Sequence, residues 1–122
     1  MKFGLFYEHQ NPRPWTEGSE HRVLMEALQQ IELADRLGLD YVWEVEHHFL
    51  EEYSHSSAPA VFLAAASQRT KRIRLGHGIF LTAPTYNHPA RVAESVATLD
   101  HVSEGRVEWG TGESATLMEM EG

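Results

Sequence analysis

The chain has 122 residues and no cysteine, and its 42% hydrophobic and 23% charged residues are an ordinary globular balance. That rules out a disulfide scaffold and a thiolate metal site, and no apolar run approaches the ~18 residues of a membrane span. Ten Lys and Arg against 18 Asp and Glu leave a formal charge of -8, which argues against a nucleic-acid surface. Lys2–Tyr7 is apolar and aromatic and predicts a first strand. Glu8 and His9 follow too early for a signal peptide, so a cytoplasmic protein is expected. After a polar loop with Pro12, Pro14 and Gly18, Ser19 is placed to cap a helix running to about Leu37. Val23, Leu24, Ala27, Leu28, Ile31, Ala34 and Leu37 share one face of that helix, and Gly38 stops it. Tyr41–Glu46 is the second strand, and a loop opened by His47 and His48 runs to about Ser57. Pro59 suits the first turn of a second helix, with Arg69, Lys71 and Arg72 at or after its end. Ile73–Leu81 is the third strand. The third helix begins near Pro89, carries Val92, Val96, Leu99 and Val102, and stops at Gly105. Arg106–Gly110 is the fourth strand, and Thr111–Ser114 begins the next loop.

Strands joined by crossover helices make a parallel sheet. The competing α/β architectures are a doubly wound sheet and a (β/α)₈ barrel. A barrel needs about 250 residues, so four parallel strands and three helices would be its N-terminal half. On that reading residues 1–122 are a partial domain lacking the C-terminal half, a fragment inactive alone. The alternative is a complete four-stranded open domain with a poorly covered fourth strand.

Chemistry in parallel α/β folds sits at the C-terminal ends of strands. His9 follows the first strand, His47, His48 and His55 the second, and His88 the third. Glu8, Glu46 and Glu113 join them at strand ends. Such a rim can bind a small molecule, move a proton or hold a metal. Consecutive strand residues face opposite ways, so Glu46, His47 and His48 converge only if the strand breaks there. No His-Glu-x-x-His is present, and no metal is expected. Gly76 and Gly78 inside the third strand mark either close approach of a ligand or packing against a large neighbour. Tyr7 and Phe80, near strand ends, could line a pocket for a planar ligand, with Trp15 as its cap.

The stretches Glu46–Phe49, Arg74–Pro84, Asn87–Glu94 and Leu99–Gly112 resemble the bacterial luciferase-like flavin monooxygenases, in register from Lys2 to Ser114. The resemblance implies the N-terminal half of a TIM barrel that uses reduced FMN, supplied by a flavin reductase, and O₂ to oxygenate a small organic substrate. It implies a homo- or heterodimer when intact. It gives His47 the place of the family's catalytic histidine, which stabilises the oxygenated flavin or moves a proton near it. Glu46, His77, Gly78, Gly112 and Glu113 fall at cofactor-binding positions, and Tyr7, Glu8 and His48 in the substrate pocket. His77-Gly78 falls where the family often has a non-prolyl cis peptide under the flavin ring. His77 departs from the two small residues that luciferases carry there, and Glu113 stands where they have an arginine. The rival readings are an F420-dependent hydride-transfer enzyme of the same superfamily, and a non-catalytic flavin-binding protein.

Overall fold

A computed structural model describes residues 1–114 and 116–121. The elements in chain order are β1 (Gly4–Tyr7), α1 (Ser19–Leu37), β2 (Tyr41–Glu44), α2 (Pro59–Arg69), β3 (Arg74–Leu81), α3 (Pro89–Val102), β4 (Val107–Gly112) and α4 (Leu117–Glu121). All strands are parallel and pair in the order β1-β2-β3-β4. A doubly wound sheet reverses its strand order and carries helices on both faces. Here the order never reverses. Leu28, Ile31 and Ala34 of α1, Leu63 and Ala66 of α2, and Leu99 of α3 bury one common core with Val42, Ile73 and Leu75 of the sheet. One-sided helices on a singly wound sheet are the winding of a (β/α)₈ barrel.

The expected element order holds, with differences at several boundaries: β1 and β3 start later, at Gly4 and Arg74, and β4 runs from Val107 to Gly112, so that Thr111 and Gly112 belong to the strand rather than to the loop after it. Gly18, at φ 76°, occupies the cap position of α1, so Ser19 is already helical. The second strand ends at Glu44 rather than Glu46. A fourth helix, α4, adds to the three expected. Pro59 and Pro89 open α2 and α3 as anticipated, and the His88 side chain caps α3 by accepting from the Ala90 N–H at 3.2 Å.

Two polar clamps fix the strand ends. The Asp35 carboxylate, at the end of α1, accepts from the backbone N–H groups of Lys71, Arg72 and Ile73 at 3.0, 2.9 and 2.7 Å and sets the start of β3. Arg106 donates to the carbonyls of Ser67, Ile73 and Ser103 at 2.7, 3.1 and 2.8 Å, tying β4 to the end of α2.

Strand alternation gives the other sheet face to Phe6, Trp43, Arg74, Gly76, Gly78 and Glu108. In a closed barrel this face looks inward. Phe6 is 60% exposed on it. The Trp43 indole lies over Gly76, where an added Cβ would come within 2.3 Å of ring carbon Cε3. Packing against a large neighbour is therefore what Gly76 serves.

Candidate active site

β2 breaks after Glu44, and that break lets Glu46, His47 and His48 share one region. The His47 N–H leaves the sheet to donate to the Ser56 carbonyl at 2.9 Å. The Glu46 carboxylate, 4% exposed, turns toward β3. Its Oε2 accepts from the Leu81 N–H at 2.8 Å, and its Oε1 from the Asn87 amide at 2.8 Å. The His48 ring folds back onto the same carboxylate, Nε2 to Oε1 at 3.1 Å, and stacks on Tyr86 with centroids 4.9 Å apart. Glu46 thus locks the exits of β2 and β3 together and has both oxygens engaged.

His47 points the other way, between two carboxylates. Its Nδ1 lies 2.9 Å from Oε1 of Glu119, and its Nε2 lies 3.5 Å from Oε2 of Glu8. The Glu8 oxygen is buried and lacks a hydrogen-bond partner among the described residues. The Tyr53 hydroxyl reaches the other Glu8 oxygen at 3.4 Å. A groove of about 630 Å³, lined by Trp15, His47, His48, Phe49, Leu50 and Met118 among others, opens beside these groups.

Glu119 is the site residue that sequence reasoning missed. It is 1% exposed on the short α4. Its Oε1 also accepts from the His48 N–H at 2.7 Å, and its Oε2 from the hydroxyls of Ser114 and of Thr116, the latter at 2.8 Å. Burial alone would raise this carboxyl. The donors from Ser114, His48, Thr116 and His47 outweigh it and hold the pKa down at about 2. The signal was present as Thr116-x-x-Glu119, a capping-box spacing. The Glu119 N–H donates to Thr116 Oγ1 at 3.3 Å while its carboxylate receives the Thr116 hydroxyl.

Two expected site residues face the wrong layer. Tyr7 is two residues from Leu5, and both pack against the helix-side core. Its hydroxyl donates to Gln30 of α1 at 2.9 Å, and burial pushes its pKa up to about 12. His77 is two residues from Leu75, so alternation turns it from the open face; it is fully buried, and neither ring nitrogen has a hydrogen-bond partner among the described residues. Neither side chain can line a pocket on the open sheet face. The non-prolyl cis bond is Gly78–Ile79, one bond beyond the expected position.

Gly78 does lie on the open face. A Cβ there would stand 3.5 Å from both Phe6 Cε2 and Trp43 Cε3, an ordinary contact, so Gly78 lies between two aromatic residues without being forced by their packing. Gly112 serves packing instead: a Cβ would meet Ile79 Cδ1 at 2.6 Å, and its carbonyl accepts from the Thr82 N–H at 3.0 Å. Glu113 is exposed. Among the described residues no three His, Asp or Glu side chains converge as a metal site, and no helix is long and apolar enough to cross a membrane.

Sequence and structure comparisons agree on one family. A family model described as luciferase-like monooxygenase matches residues 1–122. Limonene 1,2-monooxygenase of Rhodococcus erythropolis is 39% identical over 114 residues, which are 92% of this chain and 27% of that protein. The oxygenating constituent of 3,6-diketocamphane monooxygenase from Pseudomonas putida, solved in complex with FMN, superposes with a TM-score of 0.85 at 26% identity, covering 99% of this chain and 32% of that one. The coenzyme F420-dependent tetrahydromethanopterin reductase of Methanopyrus kandleri superposes at 0.70 with 28% identity, over 98% of this chain and 30% of that one. The chain therefore spans about a third or less of the length of these relatives.

Proposed function

The chain belongs to the luciferase-like monooxygenase family, and we propose that it contributes the proton-handling wall and part of the flavin floor of an FMN-dependent oxygenase site. The observation that carries this reading is His47, held at the C-terminal mouth of the sheet between Glu8 and Glu119. Phe6, Gly78 and Trp43 would support the flat face of the flavin ring. When bound, reduced flavin supplies two electrons to O₂, so that one oxygen atom enters the substrate and the other leaves as water. His47 exchanges a proton at Nε2 with the reacting oxygen, and Glu8 balances the charge that the imidazole gains. The adjoining groove, with Trp15, Phe49 and Leu50 on its walls, suits a small, largely apolar organic substrate. The relative from Pseudomonas putida is an oxygenating constituent, which supports a separate flavin reductase as the partner that delivers reduced FMN.

The test is a reductase-coupled assay of the whole protein with NADH, FMN and either limonene or a long-chain aldehyde. His47→Ala is expected to lower product formed per NADH by about 10²–10⁴-fold, the usual worth of a positioned acid–base group, with FMN affinity nearly unchanged. Unchanged yield would remove His47 from the chemistry.

The second reading, hydride transfer with F420, is favoured by the likeness to the F420-dependent reductase. It predicts bleaching of F420 absorbance by an oxidisable substrate without oxygen consumption. The FMN reading predicts oxygen uptake that follows product.

A further inference from the structure

We propose that Glu119 is the positioning residue that selects the Nδ1–H tautomer of His47, leaving Nε2 as the proton-accepting atom. The inference rests on His47 being the acid–base group proposed above. Which nitrogen of an imidazole carries its proton is decided by the partner of the other. Around His47 the two partners are unequal. Glu119 Oε1 is 2.9 Å from Nδ1, within hydrogen-bond reach, whereas Glu8 Oε2 is 3.5 Å from Nε2 and makes no hydrogen bond among the described residues. A carboxylate can only accept, so the close contact at Nδ1 requires the proton to be there. Glu119 is kept in that form by its own surroundings. Hydroxyls of Ser114 and Thr116 and the His48 N–H all donate to it, and a pKa near 2 keeps it ionised across the neutral range.

The rest of the geometry fits a positioning role. The contact joins residues 72 positions apart, the loop after β2 and the helix after β4. α4 is anchored there a second time, because the Tyr86 hydroxyl from the loop after β3 donates to the Glu119 carbonyl. Three strand exits are thereby tied around one imidazole. Glu8 is then the group that meets the new charge. Its buried, unpartnered Oε2 faces Nε2, ready to hold the imidazolium once a proton arrives.

The tautomer can be read without turnover. Histidine-selective ¹⁵N spectra of the 122-residue chain, in solution or by magic-angle spinning if it sediments, distinguish a protonated ring nitrogen from a bare one. His47→Ala assigns the resonance among the eight histidines. Neutral His47 in the wild type is expected to show a single tautomer with protonated Nδ1. Glu119→Gln, which keeps an acceptor oxygen, should retain it; Glu119→Ala should convert it to a mixture. An Nε2–H tautomer or a mixture in the wild type overturns the proposal, and this needs no variant to fold. In the reductase-coupled assay, Glu119→Ala should lower product per NADH and cost nothing further in a His47→Ala background, because one acts through the other. Additive losses would mean that Glu119 only holds the fold. A locked tautomer with a His47→Ala variant of full yield would keep the geometric inference and refute the proposed function instead.

Discussion

The fully buried imidazole of His77 makes the helix-side core sensitive to acid. Burial pushes its pKa from an ordinary 6.5 down to about 4, against a weaker opposing pull from the Glu108 backbone. Between those values the unfolded chain holds more protons than the folded one. The stability that a neutral His77 permits is complete above pH 6.5 and declines toward pH 4, at about 1.4 kcal/mol per pH unit for one proton. Urea unfolding at pH 7 and pH 5 checks this. The wild type should lose about 1–2 kcal/mol more than His77→Leu over that interval. Parallel losses would place the acid sensitivity elsewhere. Buried Glu44, whose pKa is raised by burial against hydrogen bonds from His9 and Ser56, acts with the opposite sign but is common to both proteins. His77 also shows what sequence reading got wrong at this scale. Histidines and carboxylates at strand ends were legible because topology alone gathers them: His48 meets Glu46, and His47 meets Glu8 on the other side. Tyr7 and His77 were misassigned because their parity with the core residues Leu5 and Leu75 settles which layer they enter. Glu119 was hidden by distance along the chain.

At the scale of elements, two glycines in adjacent strands predict unequal costs. A Cβ at Gly110 would lie 2.6 Å from the backbone carbonyl oxygen of His77, beside the irregular pairing between His77 and Phe80. That obstacle cannot rotate away, so β4 must part from β3. Gly110→Ala is expected to destabilise by about 1–3 kcal/mol, the range for overpacking. At Gly76 the obstacle is the indole of Trp43, on the open face, where the ring can swing aside. Gly76→Ala should cost less and shift the tryptophan fluorescence. Equal destabilisation of the two, measured by denaturant midpoint, would contradict this distinction between backbone and side-chain obstacles. Asp35→Ala leaves three backbone N–H groups without their acceptor, worth about 2–3 kcal/mol by thermal unfolding. The elements themselves were legible from apolar periodicity and from Gly38, Pro59 and Pro89. Two features were not. β2 ends at Glu44 because the His47 N–H is captured by Ser56, a tertiary contact. α4 was passed over because five residues give periodicity nothing to repeat, although its capping spacing was in view.

For the whole molecule, the sheet has a covered face and an open one, and that asymmetry predicts association. β1 and β4 have no sheet neighbour on their outer edges among the described residues. Phe6 is 60% exposed on the open face, and Trp109 is 51% exposed on edge strand β4. Unpaired parallel edges next to exposed aromatic residues favour pairing with another copy. Opposing it is a net charge of -8, which makes copies repel at long range. The two effects separate with salt. A Debye length of about 10 Å at 0.1 M screens the repulsion while leaving apolar burial intact. Sedimentation velocity of the 122-residue chain at low micromolar concentration should therefore show concentration-dependent association that strengthens as salt rises. Phe6→Glu should weaken it by adding charge and removing apolar surface where the open face meets the β1 edge. A single 13.9 kDa species at every salt concentration, unfolding cooperatively, would mean that the open face and both edges are tolerated by a stable monomer. The same chain, given FMN, a reductase and NADH, is expected to form no oxygenated product from limonene. On the proposed function, the wall that holds His47 has nothing opposite it among the described residues to exclude water from the reaction.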